Sequence, residues 1–178
     1  MVDEGRHGAA APGGNDALAE DRQSPAPWVE VVIEIPRGSF LKRGSSGRVD
    51  FVSPLPCPYN YGSVPAFLGL EGDLLDALVL GPRRPRGSRL WIPARGAVGL
   101  SDRGMYDDKL VCSEARLSEP ERRRVLRFFH VYARCKRLLN WLRRQPGLTR
   151  CEGWGEAGAA IARASPRNGK WRGPAVRF

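Results

Sequence analysis

Histidine, lysine and cysteine are all scarce in this chain, and each shortage closes off a kind of chemistry. Its 178 residues hold two histidines, His7 and His130, which leave little room for a Ser-His-Asp hydrolase. The four cysteines, Cys57, Cys112, Cys135 and Cys151, form no C-x-x-C pair, so a structural zinc site is not expected. Reduced, half-buried thiols of a cytoplasmic protein are the reading instead. No apolar run approaches the roughly 18–20 residues of a membrane-spanning helix. The N-terminus has no apolar stretch of the secretory kind, and Asp3, Glu4, Asp16, Glu20 and Asp21 argue against a transit peptide. Acidic residues are missing altogether from 122–150, which carries nine arginines and one lysine. That surplus equals the formal net charge of +10 and fits either a solvated helix face or a polyanionic partner.

What is present is globular in composition. Hydrophobic residues make up 42% and charged residues 27%, while 21 glycines and 15 prolines favour short elements joined by turns. Residues 1–27 lack periodicity and read as a disordered leader, and 165–178 as a frayed tail, leaving one domain over 28–164. Within it, WVEVVIEIP alternates with strand period and stops at Pro36. Residues 37–50 suggest a short hairpin, and the four prolines in 53–65 a stiff extended loop. LLDALVL is an apolar run bounded by Gly81-Pro82 and predicts a buried strand; 88–100 suggests two strands and 109–117 one more. From Ser118, a candidate N-cap ahead of Glu119 and Glu121, apolar residues fall at Val125, Phe128, Phe129, Tyr132, Cys135, Leu139 and Leu142. Those steps of three and four predict a helix to about Arg144, stopped by Gln145-Pro146-Gly147, with a second short helix over 156–164. Many strands followed by terminal helices give the class α+β, built on a small β barrel or curled sheet.

The acids that follow the leader are sparse but clustered. Glu71, Asp73 and Asp76 fall within six residues, and Asp102, Asp107 and Asp108 within seven. Asp76 lies inside LLDALVL, where an ionised carboxylate is costly unless paired or bound to metal. Two such clusters meeting from neighbouring loops would offer hard oxygens suited to Mg2+.

The segments EIPRGS, CPYNYGSVP, EGDLLDALVL, GLSDRGMYDDKLV, RFFHVYAR and EGW occur in an order that resembles family I soluble inorganic pyrophosphatases, over roughly residues 29–164. The resemblance implies a closed, OB-like β barrel with one long and one short C-terminal helix packed outside. It also implies a Mg2+-dependent hydrolase of pyrophosphate, with Mn2+ as an alternative ion, working as a homo-oligomer. By matching positions, Glu34, Glu71, Asp76, Asp102 and Asp107 would be metal ligands. Asp73, Lys109 and Tyr61 would be catalytic, and Lys42, Arg48, Tyr61, Lys109 and Tyr132 would bind the phosphates. Such a site is physically coherent, because phosphoryl transfer is catalysed mainly by positioning and charge neutralisation.

The chain departs from that family at several points. Glu71 stands for an aspartate, Leu74 for a proline, and Gly44 for an active-site glutamate in a shortened hairpin. Ala133 replaces a phosphate-binding lysine, and Arg134 would point about 100° away around the helix. Residues 133–150 form an Arg-rich insertion. These differences leave a second reading from another class: a homologue that binds polyphosphate, nucleotide or RNA through 122–150 without turnover, expected to lose affinity steeply with salt.

Overall fold

The computed structural model describes residues 25–43, 49–52, 56–142, 144 and 147–167. The alternating segment forms β1 (Trp28–Ile35), whose Val29, Val31 and Ile33 are buried while the residues between them are not. A short hairpin follows, β2 (Leu41–Arg43) with β3 (Val49–Val52), pairing Lys42 with Phe51. Then come β4 (Asn60–Leu68), β5 (Leu74–Val79), β6 (Arg89–Asp102) and β7 (Met105–Cys112). The helix α1 (Glu119–Leu142), β8 (Arg150–Gly155), α2 (Ala157–Arg163) and β9 (Ser165–Pro166) complete the order.

Strands β1, β4, β5, β7 and β6 pair in that sequence, and β6 pairs back to β1, closing a five-stranded ring. The one parallel contact in the ring is β5 with β7; β8 adds to β6, and β9 to β4. This is the α+β, OB-like architecture that the sequence led us to expect. Two apolar clusters occupy opposite faces of the strands. One takes Val31, Val64, Ala77 and Leu110 and is covered by Ala157, Ala160 and Ala164 at α2. The other takes Tyr61, Leu78, Val98 and Val111 and is covered by Val125 and Phe129 of α1.

Several sequence expectations need correction. The proline-rich stretch was expected to be loop throughout, yet from Asn60 it is strand β4. Pro65 is tolerated because the β4–β5 register breaks between Val64 and Leu68, where a missing N–H costs no ladder bond. Gly62 permits the close approach of β4 to its neighbour β1, since a Cβ there would lie 2.0 Å from the Val32 carbonyl oxygen. The two strands expected in 88–100 are one long strand, bent by an irregularity between Ala94 and Gly96. The strand expected over 109–117 begins at Met105 and ends at Cys112.

Helix α1 opens as its sequence indicates. The Ser118 backbone N–H donates to Glu121 Oε2 (2.9 Å), and the Glu121 N–H reaches back to Ser118 Oγ (3.4 Å), a capping box. Its far end differs from the apolar stripe. Cys135 and Leu142 are exposed, whereas Ala133 and Asn140 are buried. The inward face therefore turns polar over its last two turns. Trp28 and Trp91 lie 55% and 68% exposed.

Candidate active site

Strand parity brings the first group of site residues together. On β7, Asp107 and Lys109 are two residues apart and so point to the same side of the sheet, towards the α1 face. The parallel pairing sets Lys109 directly across from Asp76 of β5, and β4 sets Tyr61 beside Leu78. Glu71 arrives from the β4–β5 turn, where Gly72 at φ +88° and a Gly69 N–H to Asp73 carbonyl bond (2.8 Å) shape the reversal. Oxygens of Glu71, Asp76 and Asp107 all lie within 4.8 Å of one another, the candidate metal-holding group among the described residues. The Lys109 ammonium is inserted among them, bonded to Asp76 and Asp107 and 4.0 Å from Glu71. Tyr61 donates its hydroxyl to the same Asp76 oxygen.

Electrostatics follow from this crowding. Burial opposes a charge on Lys109, but Asp76, Tyr61, Asp107 and Glu71 outweigh it and hold the ammonium well above its ordinary range. Glu71 is pushed up to about 8 by burial and by the neighbouring carboxylates of Asp107 and Asp76, against the pull of Lys109. Burial and the Asp76 charge likewise hold the Tyr61 hydroxyl well above its usual value, so it remains a donor.

The remaining expected residues are distributed around this group. Asp73 is exposed in the turn, two residues beyond Glu71. Glu34 on β1 accepts a hydrogen bond from Ser63 Oγ (2.7 Å) and is not one of the three converging acids. Tyr132 of α1 lines a small cavity together with Asp102, Asp107, Ala133, Lys136 and Thr149. Lys42 is carried by the β2–β3 hairpin, while Arg48 and Gly44 lie outside the described residues. Arg134 is exposed, as its helical angle suggested.

Asp102 stands apart from the three converging acids. Its Oδ1 accepts from Asn140 Nδ2 (3.0 Å) and Thr149 Oγ1 (3.2 Å), and its Oδ2 faces Lys136 Nζ at 2.8 Å. Burial disfavours its charge, yet these three partners outweigh that and hold the carboxyl below its usual range. Sequence reasoning missed Lys136, Asn140 and Thr149. A signal was present: Tyr132, Lys136 and Asn140 are four apart, one face of a helix, and Lys136 is the sole lysine among nine arginines.

A family model described as inorganic pyrophosphatase matches residues 31–160. The chain belongs to the inorganic pyrophosphatase family. It is 29% identical over 148 residues to the inorganic pyrophosphatase of Neisseria meningitidis serogroup B, covering 72% of this chain and 80% of that one. Against the Haemophilus influenzae inorganic pyrophosphatase it is 35% identical over 96 residues, 49% of this chain and 54% of the relative. The chain thus spans about half the length of some of the curated relatives that it matches. A solved inorganic pyrophosphatase from Helicobacter pylori superposes with a TM-score of 0.62 at 26% identity, covering 80% of this chain and 94% of that one. One from Neisseria gonorrhoeae gives 0.61 at 28% identity, covering 76% and 86%. Among the described residues of this pyrophosphatase-family chain, the acids on β5, β7 and the β4–β5 turn form a group that could hold a metal ion.

Proposed function

We propose that the chain hydrolyses inorganic pyrophosphate to two phosphates with the aid of Mg2+, with Mn2+ able to substitute. The observation that carries this reading is the convergence of Glu71, Asp76 and Asp107 around a buried lysine in a chain of the pyrophosphatase family. Three carboxylates that close are mutually repulsive; in the metal-free protein a proton on Glu71 and the Lys109 ammonium relieve that repulsion, and a divalent ion would take over the proton's part. Their oxygens suit a hard divalent ion, and we assign those three acids to it. Ions held there would supply the Lewis acidity that offsets phosphate charge and makes a water a better nucleophile.

The chain's own residues do the rest. Asp73, exposed in the turn, accepts the proton of the attacking water. Lys109 keeps a fixed positive charge inside the acid group and neutralises charge on the departing phosphate. Tyr61 and Tyr132 offer hydroxyl donors that add no charge, and Lys42 and Arg48 of the hairpin segment complete the grip on the phosphates. A cytoplasmic setting is in keeping with four free cysteines. Assembly as a homo-oligomer belongs to the same reading and is read out by sedimentation.

The test is phosphate release from pyrophosphate, with Mg2+ or with EDTA, by the wild type and Asp73→Asn. Release that needs the metal and falls about 10²–10⁴-fold in the variant is expected. No release from folded wild type with Mg2+, Mn2+ or Zn2+ would sink the proposal.

A further inference from the structure

The Arg-rich insertion on α1 has one side chain that the positive surface does not explain. Residues 122–150 contain nine arginines and a single lysine, and among the described residues of that stretch the lysine is the basic side chain that is not exposed. Arg134 and Arg137, on either side of it, are exposed. Lys136 lies three residues after Ala133 and four after Tyr132, so all three share one helix face. The Ala133 methyl leaves open the cavity that Lys136 and Tyr132 line together with Asp102 and Asp107. Across it, both Asp102 oxygens are engaged: Asn140 and Thr149 on Oδ1, Lys136 at 2.8 Å and Arg103 at 3.8 Å on Oδ2. A carboxylate has about four lone-pair sites, so little of Asp102 is left for an ion.

We propose that Lys136 is a built-in cation at Asp102: it withdraws that carboxylate from metal coordination and presents a fixed positive charge to the substrate's phosphates. Two observations and one chemical property support this. Asp102 is absent from the group of acids whose oxygens converge, although it is as buried as Asp107. A lysine ammonium is a compact, strongly hydrated point charge, the side chain closest in kind to a small ion. It carries three N–H donors, of which Asp102 takes one, and its side chain keeps 29% of its surface open. Lys136 thereby returns, from one turn further along the helix, the charge that Ala133 cannot supply. Asn140 and Thr149 are positioning residues, fixing the carboxylate on which the ammonium rests.

The inference rests on the proposed metal-dependent hydrolysis of pyrophosphate, and the experiment separates the two. Mn2+ binding to the full chain is followed by the EPR signal of the free ion, for wild type, Asp107→Asn, Asp102→Asn, Lys136→Met and Lys136→Arg. KM and kcat for pyrophosphate are measured alongside at saturating Mg2+. Asp107→Asn is expected to weaken Mn2+ binding by about tenfold or more, and Asp102→Asn by less than about twofold. Lys136→Met should bind Mn2+ more tightly, or take up an additional ion, because Asp102 is released. Its KM should rise about tenfold to a hundredfold, as for loss of one charged hydrogen bond, with the smaller change in kcat and partial recovery in Lys136→Arg. Asp102→Asn weakening Mn2+ as much as Asp107→Asn would make Asp102 an ordinary ligand and overturn the inference. Unchanged Mn2+ binding and KM in Lys136→Met would do the same. Should Asp102→Asn fail to fold, the two Lys136 variants still decide the matter. A wild type that binds no Mn2+ removes the metal reading itself, a different result from either of these.

Discussion

Asp102 and Asp107 flank one turn, close the paired ends of neighbouring strands and are almost equally buried, at 7% and 5% exposure. Their partners nevertheless come from different parts of the molecule. Asp107 receives its cation from its own strand, two residues on, and shares it with Asp76 across the parallel β5–β7 contact. Asp102 receives its hydrogen-bond partners from outside the ring, Lys136 and Asn140 from α1 and Thr149 from the segment before β8. Burial demands that each carboxylate be paired, but the element supplying the partner decides what the carboxylate can do. The strand-built side leaves three acids crowded around one ammonium and open to a further cation. The helix-built side satisfies one acid fully and joins the last turns of α1 to the sheet.

Removing the shared cation should have the largest effect. Lys109→Met leaves Glu71, Asp76 and Asp107 without their buried counter-charge, and breaking such a pair costs about 3–5 kcal/mol. In EDTA the variant should melt well below the wild type, and Mn2+ should close more of that gap than it raises the wild-type Tm. Equal stability of the two proteins without metal would show that the strand-built side tolerates its own repulsion.

A pH series sharpens the same contrast. Glu71 holds its proton up to about 8 in the metal-free protein, far above an ordinary glutamate. A divalent ion must displace that proton, so apparent Mn2+ affinity should rise with pH by about tenfold per unit between pH 6 and 7 and level off above 8. The stability of the metal-free fold should move the other way. The folded state binds the extra proton between the ordinary glutamate range and pH 8, so stability falls as pH rises through that window. Glu71→Gln should flatten both curves, and a wild-type affinity independent of pH would remove Glu71 from the site.

The smallest effect is expected on the outer face of α1. Arg134 is exposed and one residue from Ala133, yet it points away from the cavity that Lys136 lines. Arg134→Ala should change kcat and KM for pyrophosphate by less than about twofold and stability by no more than about 0.5 kcal/mol. A tenfold rise in KM would move the missing charge to Arg134 and erase the difference between the two faces of the helix.

Much of this was legible in the chain. The alternation of β1, the buried run of β5, the Ser118–Glu121 cap and the extent of both helices are local properties, set by side-chain period and backbone hydrogen bonding. The acids later found around Lys109 could be named from their spacing and from a resemblance, because a carboxylate inside an apolar strand needs an explanation wherever it occurs. The polar end of α1 was not legible. Counting apolar residues favoured Cys135, Leu139 and Leu142, whereas Lys136 and Asn140 face inward because Asp102 is waiting there. The strand at Asn60 was hidden by its prolines, and only the register break after Val64 shows how one of them is accommodated.

The sequence by itself determined the first strand, the buried run of β5, both helices, the family and the inventory of charge, since each depends on residue type and on near neighbours along the chain. Tertiary structure decided which charge meets which. Asp102 and Lys136 are 34 positions apart, and Asp76 and Lys109 are 33 apart. Nothing local distinguishes one pairing from the other. The closed ring fixes the second through strand register, and the docking of α1 on the cluster of Tyr61, Leu78, Val98 and Val111 fixes the first, because two rigid surfaces can bring only certain side chains within reach of a buried carboxylate.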